Sequence, residues 1–198
     1  LALVSALWWL PLPERLSVPG SKYITYADGV PAHIFLSADD KWRIPVSLDE
    51  VDDTYIKALI RYEDKRFWWH LGADPIALVR AVFVNAFYGK IKTGASTITM
   101  QLVRVLEPRP RTIRSKVTEI FRALQMELHL SKQEILENYI QYVSFGRNIE
   151  GIQAAAWSYF GHSASDLSSS EVAILLAVPQ RPQKRYPHVK NSKRLKDA

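Results

Sequence analysis

Helix punctuation runs through the sequence from Ser47 onward and leaves little room for anything but a helical architecture. Three capping boxes occur, Ser47-x-x-Glu50, Ser131-x-x-Glu134 and Ser168-x-x-Glu171, each placing a glutamate three residues after a hydroxyl N-cap. Behind the first, apolar Val51, Tyr55 and Leu59 recur at steps of four, predicting a helix opened by Ser47. Asp74 with Pro75 starts another, whose expected buried stripe is Ile76, Val79, Phe83 and Phe87 and whose end is Gly89. A stretch from Ile98 to Leu106 is stopped by Pro108 and Pro110. Ile113, Val117, Ile120, Leu124 and Leu128 then repeat at steps of three and four, a long amphipathic helix. The remaining boxes open helices over 135–143 and 172–178, with 152–160 between them. The expected fold class is therefore mainly α.

Ahead of this body, 23–46 reads as a small β element. Tyr23-Ile24-Thr25-Tyr26 and His33-Ile34-Phe35-Leu36 flank the turn signal Asp28-Gly29, and 42–46 continues it. A chain of 198 residues, 47% hydrophobic, suffices for one core with little room for a second. Its net charge of +6 points to an anionic partner. With no cysteine, thiolate metal sites, disulfides and cysteine nucleophiles are excluded. Residues 1–10 are apolar except Ser5 and end in Trp8-Trp9 before Pro11 and Pro13. They are too short to span a bilayer alone, and read either as the interfacial end of a truncated membrane anchor or as a frayed apolar terminus.

Three segments carry candidate chemistry. Glu63 lies in a charge run, Arg61 to Arg66, that would ordinarily be a solvated helix end. Phe67, Trp68, Trp69 and His70 follow it, and rings packed beside a carboxyl make it a better proton acceptor near neutrality. Residues 93–101 put hydroxyls and backbone N–H groups at a helix N-terminus, the geometry that receives anionic oxygens, although an ordinary N-cap accounts for them equally well. Between Arg104 and Lys116 also stand Arg109, Arg111 and Arg114, offset only by Glu107, with Glu119 one turn after Lys116. No aromatic residue interleaves them to stack bases, so a compact phosphate or diphosphate suits the run better than nucleic acid; a solvated basic face is the plain alternative. Glu127 and Glu134 suit surface or capping positions.

Together these segments resemble the glycosyltransferase domain of family 51, the peptidoglycan glycosyltransferases of class A penicillin-binding proteins and their monofunctional relatives. Five motifs occur in order. Glu63-Asp64-Lys65-Arg66-Phe67-Trp68-Trp69-His70-Leu71-Gly72 resembles the family's Glu-Asp-x-x-Phe-x-x-His-x-Gly, and Gly94-Ala95-Ser96-Thr97-Ile98-Thr99-Met100-Gln101 its second motif. Lys116-x-x-Glu119 resembles the third, Ile135-Leu136-Glu137-x-Tyr139-Ile140 the fourth and Gly151-Ile152-x-Ala154-Ala155 the fifth. Met100-Gln101 and the short β preface look most like the 1C branch. Two positions depart from the pattern: Ser115 stands where the family carries Arg, and Gln141 where Asn is usual.

The resemblance implies a lysozyme-like helical domain over 47–187, preceded by the end of an anchor (1–13) and a short β and linker segment (14–46), and followed by a truncated basic tail (188–198). It implies polymerisation of lipid II into glycan strands, with inversion at the donor anomeric carbon and release of undecaprenyl pyrophosphate. Glu63 would be the base and Glu119 the second carboxylate. Asp64, Phe67, His70, Gly94, Ser96, Thr97, Thr99, Gln101, Arg104 and Lys116 would bind substrate. A divalent cation, Mg or Mn, at the diphosphate is a candidate cofactor. Implied partners are lipid II, the growing strand and membrane lipid, with other cell-wall synthesis proteins as candidates and no nucleic acid. The implied location is the outer face of the bacterial inner membrane, on a single-pass anchor. A lipid-linked substrate requires contact with the membrane, for which 81–88, apolar nearly all round and edged by Arg80, Lys90 and Lys92, is the candidate; a buried core helix is the other reading of it. Two rival functions remain: a lysozyme-like hydrolase or lytic transglycosylase, which would need a protonated acid at the leaving sugar, and a non-catalytic membrane scaffold, which Ser115 and Gln141 would favour.

Overall fold

The computed structural model describes residues 7–27, 29–90, 93–185 and 187. Its helices are α1 (Asp53–Glu63), α2 (Pro75–Tyr88), α3 (Ile98–Leu106), α4 (Ile113–His129), α5 (Lys132–Tyr142), α6 (Ile152–Phe160), α7 (Ser169–Ala177) and the single-turn α8 (Pro182–Arg185). Two antiparallel hairpins accompany them, β1 (Tyr23–Thr25) with β2 (Pro31–Ile34) and β3 (Ser144–Gly146) with β4 (Ile149–Glu150). The mainly helical class is as the punctuation indicates. Residues 42–46 add only a single bridge, Trp42 to Ile149. The expectations for residues 1–6, Asp28, Lys92 and 188–198 lie outside the described residues, and among those described no helix is long and apolar enough to cross a membrane.

Helix α3 is the hub. Ile98, Met100, Leu102 and Val103 are fully buried against α4 and α5, and the Thr97 side chain accepts from the Met100 N–H to start the helix. Both later capping boxes open helices as expected, α5 at Ser131 and α7 at Ser168. The first does not. Ser47 and Glu50 form their reciprocal pair around one 3₁₀ turn, Leu48–Glu50, and Val51 is extended. The chain then restarts at Asp52, whose carboxylate accepts from Thr54 N–H at 2.7 Å and from Leu167 N–H at 3.2 Å. A cap tied to a distant segment overrides a local one.

The apolar stripe of α2 faces the opposite way from expectation, and that of α4 is split between solvent and core. On α2, Ile76, Val79, Phe83 and Phe87 are exposed, Phe83 at 72% and Phe87 at 85%, while Ala77 and Ala81 are buried. On α4, Ile113, Val117 and Leu128 are exposed while Ile120 of the same stripe packs against the core, and the buried positions are Ser115, Glu119, Ala123, Gln125 and Met126. Periodicity marks a face without saying which side the body occupies. The inward side of α2 is made of small residues, and of the inward polar residues of α4 Glu119 finds its partner on α3 and Ser115 on Thr112. The loop before α2 meets α4 at Gly72, whose φ is +77°; a Cβ there would lie 2.6 Å from the Ala123 backbone, so glycine alone fits. Glu134 caps α5 as expected, but Glu127 is no surface residue: its side chain is buried, accepting from the Thr99 hydroxyl and Lys132.

The stretch before Ser47 is stitched into the body by charge. Glu150 accepts from Arg15 and from Arg43, both at 2.7 Å, and Asp39 accepts from the same two guanidiniums at 3.1 and 2.7 Å. Arg43 is wholly buried and lies over the Tyr142 ring at 4.4 Å, while Arg15 also donates to the Val105 carbonyl at the end of α3. Burial would raise the Asp39 carboxyl, but its bonds to Arg43, Ser37 and Arg15 outweigh that and hold it well below the usual range. Removing one partner of a buried pair strands the others. Glu150→Ala is therefore expected to cost about 3–5 kcal/mol in urea unfolding at pH 7; a loss under about 1 kcal/mol would show that the cluster does not hold the segment.

Candidate active site

Glu63 closes α1, half-buried, with its Oε2 accepting from Gln101 Nε2 at 2.8 Å. Gln101 is oriented in turn by the Tyr139 hydroxyl, which donates to its Oε1 at 3.3 Å. Burial, together with the charge of Glu63, pushes the phenols of Tyr55 and Tyr139 upward, so both stay protonated beside the carboxylate. The expected wall of rings is absent. Trp69 is 87% exposed and lines an apolar groove with Leu71, Ile76 and Leu124, and Trp68 lines a separate cavity with Lys57 and Arg61. The Gln101 amide contacts Glu63 instead, with the Tyr55 and Tyr139 phenols near enough to feel its charge.

The next residue, Asp64, is buried and turns the other way. Its carboxylate meets His70 Nε2 at 2.9 Å and accepts from the Ile98 N–H at 3.0 Å. With Thr97 holding the Met100 N–H, the start of α3 is satisfied from within the protein, which removes the Ile98 and Met100 donors from any anion site there. Thr97 also donates to the Gly72 carbonyl. Phe67 is fully buried with the Lys132 ammonium 4.5 Å over its ring, and Thr99 is fully buried on Glu127. Asp64, Phe67, Thr97 and Thr99, expected to bind substrate, thus each make a contact within the protein, as does Nε2 of His70, whose buried Nδ1 has no hydrogen-bond partner. They brace the loops that carry Glu63 and Ser96.

The anion-binding potential lies on side chains instead. Arg104 of α3 grips Glu119 of α4 through Nε (2.8 Å) and Nη2 (2.9 Å), and Lys116 donates to Glu119 at 3.3 Å and to the Ser96 hydroxyl at 2.6 Å. The Glu119 bond holds the Arg104 pKa above its ordinary value. Burial would raise the Glu119 carboxyl, but Arg104 and Lys116 outweigh it and hold it below the usual range. Burial, aided by Arg104 and opposed by Glu119, lowers that of Lys116. The basic run is therefore not one surface. Arg109 pairs with Glu107, which Arg122 also holds, and Arg114 is exposed. Ser115 is buried, its hydroxyl 2.9 Å from that of Thr112, and Gln141 accepts from the Val46 N–H.

Glu63, Gly94 and Ser96 line two adjoining cavities of about 180 and 480 Å³. The smaller adds Asp64, Lys65, Arg66, Arg80 and Thr97; the larger adds Gln101, Arg104, Arg111, Tyr139 and Gln180. Lys116 and Glu119 line neither and act on the cleft through Ser96 and Arg104. Arg111 and Gln180 carry no individual signal in the sequence, since the first is one of several arginines in a run and the second lies in a proline-rich stretch. The donors do not fit a protein-held divalent ion: both oxygens of Glu119 are taken by cations, and no group of three or more acidic, histidine or cysteine ligands occurs among the described residues.

Glu119 gives a pH test. Its folded pKa is depressed, so its stabilisation is present above the unfolded value near about 4.3 and is lost as pH falls through the folded value. The stability gap between the wild type and Glu119→Gln, measured by denaturant unfolding, is expected to be open at pH 7 and to close in that acid range. A gap unchanged down to pH 3 would contradict the pairing.

Comparison with known proteins accords with this geometry. A family model described as Transglycosylase matches residues 29–198. The chain is 43% identical over 181 residues to penicillin-binding protein 1C of Escherichia coli (strain K12), covering 91% of this chain and 23% of that protein. To penicillin-binding protein 1A of the same organism it is 39% identical over 175 residues, covering 87% and 20%. To penicillin-binding protein 1A of Aquifex aeolicus (strain VF5) it is 40% identical over 146 residues, covering 73% and 20%. The chain thus spans under a quarter of the length of these relatives, and by its match to the family model over most of its length it belongs to the transglycosylase family.

Proposed function

We propose that this domain is a peptidoglycan glycosyltransferase that polymerises lipid II. The observation that carries the reading is a cleft lined by the carboxylate of Glu63 and by Arg104, which Glu119 holds in place with Lys116 beside it. The acceptor sugar hydroxyl sits against Glu63, which takes its proton as the oxygen attacks the donor's anomeric carbon. The bond from that carbon to the lipid diphosphate breaks on the opposite face, so configuration inverts. The diphosphate leaves as a stable anion and needs cations rather than a proton. Arg104 and Arg111 line the larger cavity for that purpose, and Lys116 reaches it through Ser96.

A hydrolase is the weaker reading. Glu119, the second carboxylate, is held ionised by two cations and is a poor acid for a leaving sugar. The scaffold reading loses its support, because Ser115 and Gln141 serve as local hydrogen-bonding groups away from the cleft.

The exposed face of α2, with Trp69 and Leu71, gives a lipid-linked substrate a place to approach from the bilayer; this favours the membrane reading of 81–88 over a buried core helix. We place the domain at the outer face of the bacterial inner membrane, on a single-pass anchor of which 1–13 is the end.

In a lipid II polymerisation assay, Glu63→Gln is expected to lose 10²–10⁴ in rate, on the order of general-base effects. Asp53→Asn, which removes only an exposed pair with Lys57, should stay near wild type. Similar modest effects from both would remove Glu63 from the base role. For the membrane face, Phe83→Glu with Phe87→Glu is expected to weaken binding to anionic phospholipid vesicles at least about tenfold, each ring forfeiting its burial; unchanged binding would send the contact elsewhere.

A further inference from the structure

One hydrogen-bonded chain beside Glu63 has no part in that chemistry. Tyr62, the residue before the base, is half exposed and lines the smaller cavity, whereas Gln180, in the 3₁₀ turn Val178–Gln180 after α7, lines the larger one. Gln180 Nε2 lies 2.7 Å from the Tyr62 hydroxyl. On the other side, Arg185 of α8 donates to Gln180 Oε1 at 2.7 Å and to the Ala177 carbonyl at 3.0 Å.

The direction of this chain follows from its donors. A guanidinium cannot accept a hydrogen bond, so the carbonyl oxygen of Gln180 must face Arg185 and its NH₂ must face Tyr62. An amide NH₂ cannot accept either, so the phenol oxygen is the acceptor and its proton points to another partner. Among the described residues the Tyr62 hydroxyl has no acceptor for it. A half-exposed phenol, fixed as a donor and adjoining the base, meets a ligand rich in hydroxyl and amide oxygens as a saccharide-binding group.

We propose that Tyr62 is a further substrate-binding residue, donating its hydroxyl proton to an oxygen of the saccharide that lies past Glu63, and that Gln180 and Arg185 are positioning residues that keep the phenol a donor. This rests on the polymerase reading and deepens it. The contact is neutral and replaceable by water, so it acts on how well the sugar is held.

The test is kcat/KM for labelled lipid II in Tyr62→Phe, Gln180→Glu and the double variant, with thermal unfolding alongside. Tyr62→Phe is expected to lower kcat/KM about three- to tenfold, the scale of one hydrogen bond, with the unfolding temperature unchanged. Gln180→Glu keeps the bond to Tyr62 but reverses it, because the phenol must then donate to the carboxylate; it should lose as much as Tyr62→Phe. A bridge that merely fastened α1 to the turn would survive that change. The double variant should be no worse than Tyr62→Phe, whereas a new charge repelling diphosphate would add to it. Wild-type kcat/KM in either single variant, or additive losses, overturns the proposal alone. A wild-type protein that makes no polymer overturns the polymerase reading and this proposal with it.

Discussion

The buried carboxylate of Asp64 is the interaction on which the site depends. It ends α1 by leaving the helix, receives His70, and satisfies the first N–H of α3. Because Glu63 is its neighbour and Gln101 lies one turn into α3, this one anchor brings base and amide within 2.8 Å. The Thr97 hydroxyl on the Gly72 carbonyl, and Gly72 against Ala123, extend the same assembly to α4, where Glu119 stands one turn before Ala123. Three sequence motifs are thereby braced as one unit.

Electrostatics divides the labour within that unit. Two cations converge on Glu119, so the trio carries a net positive charge before any anion arrives, and Arg104 is already aimed. A site whose charges are held by the fold spends little on reorganisation when negative charge develops on a leaving group. Glu119 contributes by fixing Arg104 and Lys116, which is a different task from the proton transfer we propose for Glu63. Keeping the two carboxylates in such unlike surroundings, one against an amide with phenols nearby and the other between cations, is what separates their roles.

Some of this was legible in the sequence. Asp74, Pro75 and Gly89 bound α2 as read, the boxes at Ser131 and Ser168 open helices, and the pairing of Lys116 with Glu119 follows from helical spacing. Facing was not legible. The exposed stripe of α2 satisfies the same periodicity as a buried one, and only tertiary packing shows that Ala77 and Ala81 are the inward side. Ser47 and Glu50 form their box, yet Asp52, fastened to Leu167, decides where α1 begins. Long-range charge was invisible too: Arg15 and Glu150 are far from each other and from the near neighbours Asp39 and Arg43 in the chain, and all four are ordinary one by one. Likewise, nothing local distinguishes Phe67 or Thr99 as a brace rather than a ligand contact.

The central claim is that one cleft couples proton removal at Glu63 to departure of a diphosphate held by Arg104 and its neighbours. The most direct measurement is the yield of undecaprenyl pyrophosphate per glycosidic bond, using lipid II labelled in both sugar and lipid. One diphosphate lipid released for each new bond, in step with polymer growth, is the expected result. Glycan shortened without diphosphate release, or diphosphate released without new glycosidic bonds, would contradict it.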